Sequence, residues 1–249
     1  MGNVMSTPTC CPVLELRQYT LRPGMRDVLI ELFEREFVES QEALGMTLVG
    51  QFRDLDDPNR FIWLRGFADM TTRAQALHDF YGGPVWKAHR EAANETMIDS
   101  DNVLLLRPAR PDSGFSLANA ERQTLGATDN PRGLVVATIY HLRDGTEHEM
   151  VNFFERAVQL QMTKSGAGVI AYFVTETHPN TFPALPVREA ANVFVWFSVF
   201  ADGRAYDRHV GAFADSPSRN NLAEELERRL KEPPEVLRLL PTRCSRLHG

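Results

Sequence analysis

Polar and apolar positions change period at regular intervals along the chain. Val13 to Thr20 is β-rich, places Glu15, Arg17 and Tyr19 on one face, and ends in an Arg22-Pro23-Gly24 turn, which predicts a first strand. Val28, Leu29, Leu32, Phe33 and Phe37 then fall on one side of a 3.6-residue period, an amphipathic helix that Gly45 stops. Two strands follow, Thr47 to Asp54 and Phe61 to Phe67, around an Asp57-Pro58-Asn59 turn. Helical patterns cover about 71 to 77 and 84 to 96, and Val103 to Arg107 closes the series as a fourth strand.

The series then recurs. Tyr19-Thr20-Leu21-Arg22-Pro23-Gly24 reappears as Tyr140-His141-Leu142-Arg143-Asp144-Gly145, a shift of 121 that also carries Phe33-Glu34-Arg35 onto Phe154-Glu155-Arg156 and Gly45 onto Gly166. From Asn59 onward the shift is 133, laying Trp63 on Trp196 and Phe67-Ala68-Asp69 on Phe200-Ala201-Asp202. The difference is a 12-residue insertion in the second copy, between Thr175 and Asn192, in a Pro-rich stretch that reads as a long loop.

Each copy has the order β-α-β-β-α-β, the ferredoxin-like split βαβ unit, so the fold class is α+β in two tandem repeats. The expected division is 13–108 for the first repeat, 109–133 for a connector without clear period, and 134–241 for the second, more divergent repeat. A four-stranded sheet of this kind carries helices on one face only. With Ile62, Trp63, Val195 and Phe197 in the strands neither face suits water, and packing the two sheets together into one barrel hides both bare faces.

Leu14-Glu15-Leu16-Arg17-Gln18-Tyr19-Thr20-Leu21-Arg22-Pro23-Gly24 resembles the opening signature of NIPSNAP-type domains, and Val103-Leu104-Leu105-Leu106-Arg107-Pro108 resembles their closing strand. In the second copy Val136 and Thr138 stand where Glu15 and Arg17 would be. The resemblance implies the dimeric α+β barrel superfamily, whose members include cofactor-independent monooxygenases, haem-degrading enzymes, isomerases, and domains without known chemistry. It also implies a ligand site between sheet and helices and a homodimer or larger homo-oligomer. Fold membership does not by itself fix the reaction.

Composition narrows the classes further. A net charge of −6, with 27 basic residues against 33 acidic and no basic run, argues against nucleic acid as a partner. No apolar stretch reaches the roughly 20 residues of a bilayer span and no secretory leader is evident, so no membrane partner is expected and a cytoplasmic location is. Met1-Gly2-Asn3-Val4-Met5-Ser6 fits an acylation pattern, with Cys10 and Cys11 as second acceptors; chance is the competing explanation. Neither a thiolate zinc set nor a nucleotide-binding, zincin or hydrolase-elbow motif is present, and no metal site is expected.

The densest chemical cluster is His78-Asp79-Phe80-Tyr81-Gly82-Gly83-Pro84-Val85-Trp86-Lys87-Ala88-His89-Arg90. His78 is the candidate general base, and Tyr81, Trp86 and His89 are candidate substrate contacts, with Trp63 as a pocket wall and His209 as the second repeat's counterpart. Arg17 and Tyr19 complete the candidate catalytic set, Arg17 to orient a carboxylate or enolate and Tyr19 to donate to an oxyanion. The competing reading makes His78 a half-exposed helix residue, Trp63 and Trp86 core, and Arg17 the partner of Glu15 in an internal ion pair. On the functional reading the chain is a small-molecule enzyme, a monooxygenase or isomerase acting on an aromatic or conjugated substrate without cofactor. A non-enzymatic scaffold, or a haem protein ligated through His78, His89 or His209, is the alternative.

Overall fold

A computed structural model describes residues 9–118, 120, 122 and 133–248; the acylation pattern at Gly2 lies outside them. The first repeat contains β1 (Val13–Leu21), α1 (Arg26–Leu32), a π-helical turn (Phe33–Phe37), α2 (Val38–Glu42), β2 (Thr47–Asp54), β3 (Arg60–Phe67), α3 (Met70–Gly82), α4 (Pro84–Thr96) and β4 (Met97–Pro108). The second contains β5 (Leu134–His141), α5 (Glu147–Phe153), a π-helical turn (Phe154–Val158), α6 (Gln159–Lys164), β6 (Gly168–Thr175), β7 (Val193–Phe200), α7 (Gly203–Ala214), α8 (Arg219–Glu227) and β8 (Glu235–Pro241).

The strands close into one antiparallel barrel in the order β1-β3-β2-β8-β5-β7-β6-β4. Each repeat supplies four neighbouring strands, and the seams are β2 against β8 and β4 against β6. A single chain therefore completes the two-sheet barrel expected from the bare faces. Alternation along each strand divides the apolar residues between two layers. Leu14, Leu16, Ile62, Leu64, Val135, Ala137, Val195 and Phe197 fill the barrel interior. Each of the larger of these side chains, the Val, Leu, Ile and Phe, stabilises by about 1.5–3 kcal/mol when fully buried. The opposite face of each sheet packs under the helices of its own repeat.

Details of the duplication persist in the backbone. The two π-helical turns lie 121 residues apart, and β2 and β6 share an irregularity, between Leu48 and Gly50 and between Val169 and Ala171. Gly45 and Gly166 adopt φ of +85° and +103°, the left-handed conformation that ends a helix and that a Cβ disfavours. The connector is less featureless than its sequence: Phe115 enters the barrel interior, 5.1 Å from the Phe173 ring and 4.9 Å from Phe197. Cys10 and Cys11 form a vicinal disulfide beside it, a local ring that fits the absence of any wider cysteine framework.

The 12-residue insertion occupies the segment between β6 and β7, and it does not stay with its own repeat. Phe182 and Leu185 pack on the first repeat's helix-side core. Asn180 Oδ1 and Thr181 Oγ1 accept hydrogen bonds from Arg73 Nη1 at 3.0 and 3.1 Å, and Thr181 Oγ1 donates to the Met70 carbonyl. This strap from the second repeat thus closes over the first.

Candidate functional site

Strand register brings the polar face of β1 against β3: Glu15 lies opposite Arg65, Arg17 opposite Trp63, and Tyr19 opposite Phe61. All face α1 to α4 rather than the barrel interior. Above them, Tyr19, Trp63, Phe33, Phe37, Phe80, Tyr81, Trp86, Gln41 and neighbouring apolar residues line a cavity with about 30 Å³ of room for water centres. One water needs roughly 10–15 Å³ on that measure, so the space holds about two or three. Its walls are aromatic: Trp86 lies 4.9 Å from Tyr81 and 5.6 Å from Phe37, and Phe33 lies 4.8 Å from Trp63. Phe182 of the strap stacks on Tyr81 at 5.9 Å from outside.

Beneath the cavity lies a fully buried ionic cluster. Glu15 Oε2 accepts from Arg17 Nη1 at 2.8 Å and from Arg65 Nε at 2.7 Å, while Oε1 accepts from Arg73 Nε at 2.7 Å. Burial alone would raise the Glu15 carboxyl, but Arg65, Arg17 and Arg73 together outweigh it and hold it well below the usual carboxylate range. Glu15 is therefore a fixed anion and not a proton acceptor. Arg17 Nε donates to the Tyr19 hydroxyl at 3.2 Å, and burial keeps that hydroxyl above its ordinary pKa despite the arginine, so Tyr19 stays protonated. Arg65 Nη1 donates to Gln41 Oε1 at 3.0 Å, and its guanidinium stands 5.0 Å from the Trp63 ring and 5.9 Å from Tyr81.

Of the residues singled out from sequence, Tyr19, Trp63, Tyr81 and Trp86 meet at this cavity, and Arg17 lies directly below it, 5.4 Å from the Trp63 ring. The histidines are not brought there. The His78 side chain is 77% exposed and turns toward Asp79, so it cannot reach the cavity as a base. On α3 the buried residues are Arg73, Ala76, Leu77 and Phe80, and His78 falls one residue off that stripe. His89 sits at the outer edge of α4, its Nε2 3.4 Å from Glu36. His209 lies in the second repeat, where Nδ1 meets Ser165 Oγ at 3.0 Å against Phe200 and burial lowers its pKa. Dispersed in this way, none of the three places an imidazole at the aromatic cavity. Among the described residues no group of three His, Cys, Asp or Glu is placed to hold a metal ion, and no helix is long and apolar enough to cross a membrane.

The family model described as NIPSNAP matches residues 14–111. That stretch is a NIPSNAP domain. It contains every residue of the cavity and of the ionic cluster, the strap alone coming from elsewhere. Over nearly the whole chain the fold is shared with a provisionally named monooxygenase from Fusobacterium nucleatum subsp. nucleatum, at 10% identity, 96% of each chain covered and a TM-score of 0.58. A provisionally named monooxygenase from Lactobacillus acidophilus NCFM is similar at 19% identity, covering 93% of this chain and 94% of that one, with a TM-score of 0.53. An anthrone oxidase-like protein is similar at 12% identity and 95% coverage of both, with a TM-score of 0.53. No curated protein is significantly similar in sequence.

Set beside the NIPSNAP domain, the second repeat keeps the frame and lacks the charge. Tyr140 and Trp196 repeat Tyr19 and Trp63, but Val136, Thr138, Ser198 and Tyr206 stand where Glu15, Arg17, Arg65 and Arg73 would fall. Arg65, Arg73 and Gln41 were not singled out from sequence, because they come from three different elements and meet only in the fold. Arg73 alone left a local signal: it sits three, four and seven residues before Ala76, Leu77 and Phe80, on the apolar stripe of α3.

Proposed function

We propose that the chain is a small-molecule enzyme whose site is the aromatic cavity of the NIPSNAP domain, and that it oxidises a planar, conjugated substrate with dioxygen. The observation that carries this reading is the cavity itself: rings from β1, β3, the π-helical turn after α1, α3 and α4 converge on one slot between sheet and helices, over a protonated tyrosine. Likeness of fold to proteins bearing monooxygenase and anthrone oxidase-like names supports the oxygenase class over others. In such a reaction an activated ring CH₂ loses one proton to water, and the resulting carbanion gives an electron to dioxygen. The radical pair combines as a peroxide, and loss of water with the second hydrogen leaves a carbonyl.

An isomerase needs a base that takes and returns a proton, and none of the residues lining the cavity is a carboxylate or an imidazole. His78 stands outside this reading, its ring being exposed beside Asp79. The closed slot must widen to admit a ring system, and the parts that cover it are Tyr81 and Trp86, flanking Gly82-Gly83, and Phe182 of the strap. Oxygen uptake with anthrone as probe tests the reading: a saturable rate above the protein-free blank, lost in Trp86→Ala, is expected. An unchanged blank rate together with no thermal stabilisation by any aromatic probe would leave the barrel as a scaffold.

A further inference from the structure

The ionic cluster is unbalanced. Arg17, Arg65 and Arg73 are each at most 1% exposed, and Glu15 is the carboxylate within ion-pairing distance of all three. Three cations against one anion leave a net charge of +2 in a dry layer. The neighbouring acids do not offset it: Glu34 accepts from the Cys244 backbone and faces Arg243, Glu36 pairs with Arg35 and His89, and Glu42 pairs with Arg122 and Arg246. Burying charge without counter-charge is costly, and proteins ordinarily pair or neutralise it.

The excess is aimed. Arg17 donates further to Tyr19 and the Ser100 carbonyl, and Arg73 Nη1 donates to the strap, while Arg73 Nη2 makes no hydrogen bond but lies 2.7 Å from Glu15 Oε1. Arg65 Nη2 has no partner, nor does the Trp63 indole N–H, both fully buried. Trp196 also leaves its N–H unpaired, so the indole alone marks nothing; what distinguishes the first repeat is the unpaired guanidinium beside it. Of the groups around that guanidinium, Glu15, Met46 and Phe67 lie away from the cavity, whereas Trp63, Tyr81 and Gln41 are cavity walls.

We infer that the ligand of this cavity is an anion: a planar aromatic or conjugated compound bearing an ionised oxygen, carboxylate or enolate, which supplies the counter-charge for Arg65 and Arg17. The inference rests on the cavity reading above and adds the charge of the ligand to it. Arg65 Nη2 donates to the anionic oxygen, Tyr19 offers its hydroxyl proton, and the rings clasp the conjugated body. The second repeat, with Thr138 and Ser198 in place of Arg17 and Arg65, lacks such a subsite.

The test compares matched probes on the full-length wild-type protein by calorimetry and thermal shift. 2-Naphthoate is expected to bind at least tenfold more tightly than 2-naphthamide, which has the same ring system and no charge; tenfold is about 1.4 kcal/mol. A second arm separates the oxygen types: 4-nitrophenol, titrated below its own pKa, is expected to turn into the coloured phenolate on binding if an enolate-like oxygen is accepted. If only naphthoate responds, the subsite is a carboxylate site. Arg65→Gln is expected to remove the preference for naphthoate while leaving naphthamide binding within threefold; if that variant fails to fold, the wild-type probe pair still decides. Equal binding of naphthoate and naphthamide overturns the anion inference and leaves the cavity reading standing. Binding of neither overturns both.

Discussion

Replacing Glu15 with Gln is the sharpest perturbation available in this molecule. The carboxylate accepts from three buried guanidiniums at 2.7–2.8 Å, and the amide leaves all of them without a counter-charge. Breaking a buried ion pair by removing one partner costs about 3–5 kcal/mol, and here one substitution strips three partners, so the upper part of that range is expected. A domain's whole stability is typically about 5–15 kcal/mol. With a urea m-value of about 3 kcal/mol/M, the midpoint should fall by roughly 1–1.7 M. Adding Arg65→Met to Glu15→Gln restores the original net charge, and the pair should recover about 0.5–3 kcal/mol relative to additivity.

The same group sets an acid limb. The folded carboxyl is held below its ordinary value of 4.5, so it contributes stability that is complete above that pH and is lost progressively as pH falls through and below it. Urea midpoints of wild type measured from pH 6 down to pH 3 should decline, and those of Glu15→Gln should be flatter over the same window. A Glu15→Gln cost below about 1 kcal/mol, with parallel acid limbs, would refute the claim that this carboxylate holds the layer together.

Three further outcomes follow from the placement of other residues. His78→Ala should change stability by no more than about 0.5 kcal/mol and leave naphthoate binding intact, since the ring is exposed and outside the cavity; calorimetry on that variant checks it. Phe182→Ala should speed association of an aromatic probe in stopped-flow fluorescence while costing about 1 kcal/mol in stability, because it lifts a stacked ring off Tyr81. Gly66→Ala should cost about 1–3 kcal/mol in urea, since a Cβ there would overlap the Cys11 side chain.

Much of this architecture is legible from the chain because it is written twice. Gly45 and Gly166, Trp63 and Trp196, and the Tyr-x-Leu-Arg turns hold one register, and register in a strand fixes which face each side chain takes. Alternation in β1 places Glu15, Arg17 and Tyr19 together without any tertiary information. What could not be read were meetings across elements: the pairing of Glu15 with Arg73 spans 58 residues, and the strap reaches the first repeat from more than a hundred residues away. His78 shows a different limit. Its chemistry marks it as a candidate base, while the phase of α3, readable from Ala76, Leu77 and Phe80, turns it outward.

Closing the barrel within one chain has a consequence for how its halves can diverge. Two identical subunits share every substitution, so a lid gained by one is gained by both, and a charge lost from one site is lost from its twin. Here the halves are separate stretches of one polypeptide and change independently. The second repeat has apolar and hydroxyl side chains where the first has its ionic cluster, and it carries the extra segment that covers its neighbour. One copy holds the pocket and the other supplies its cover, a division of labour that a symmetric homodimer cannot encode.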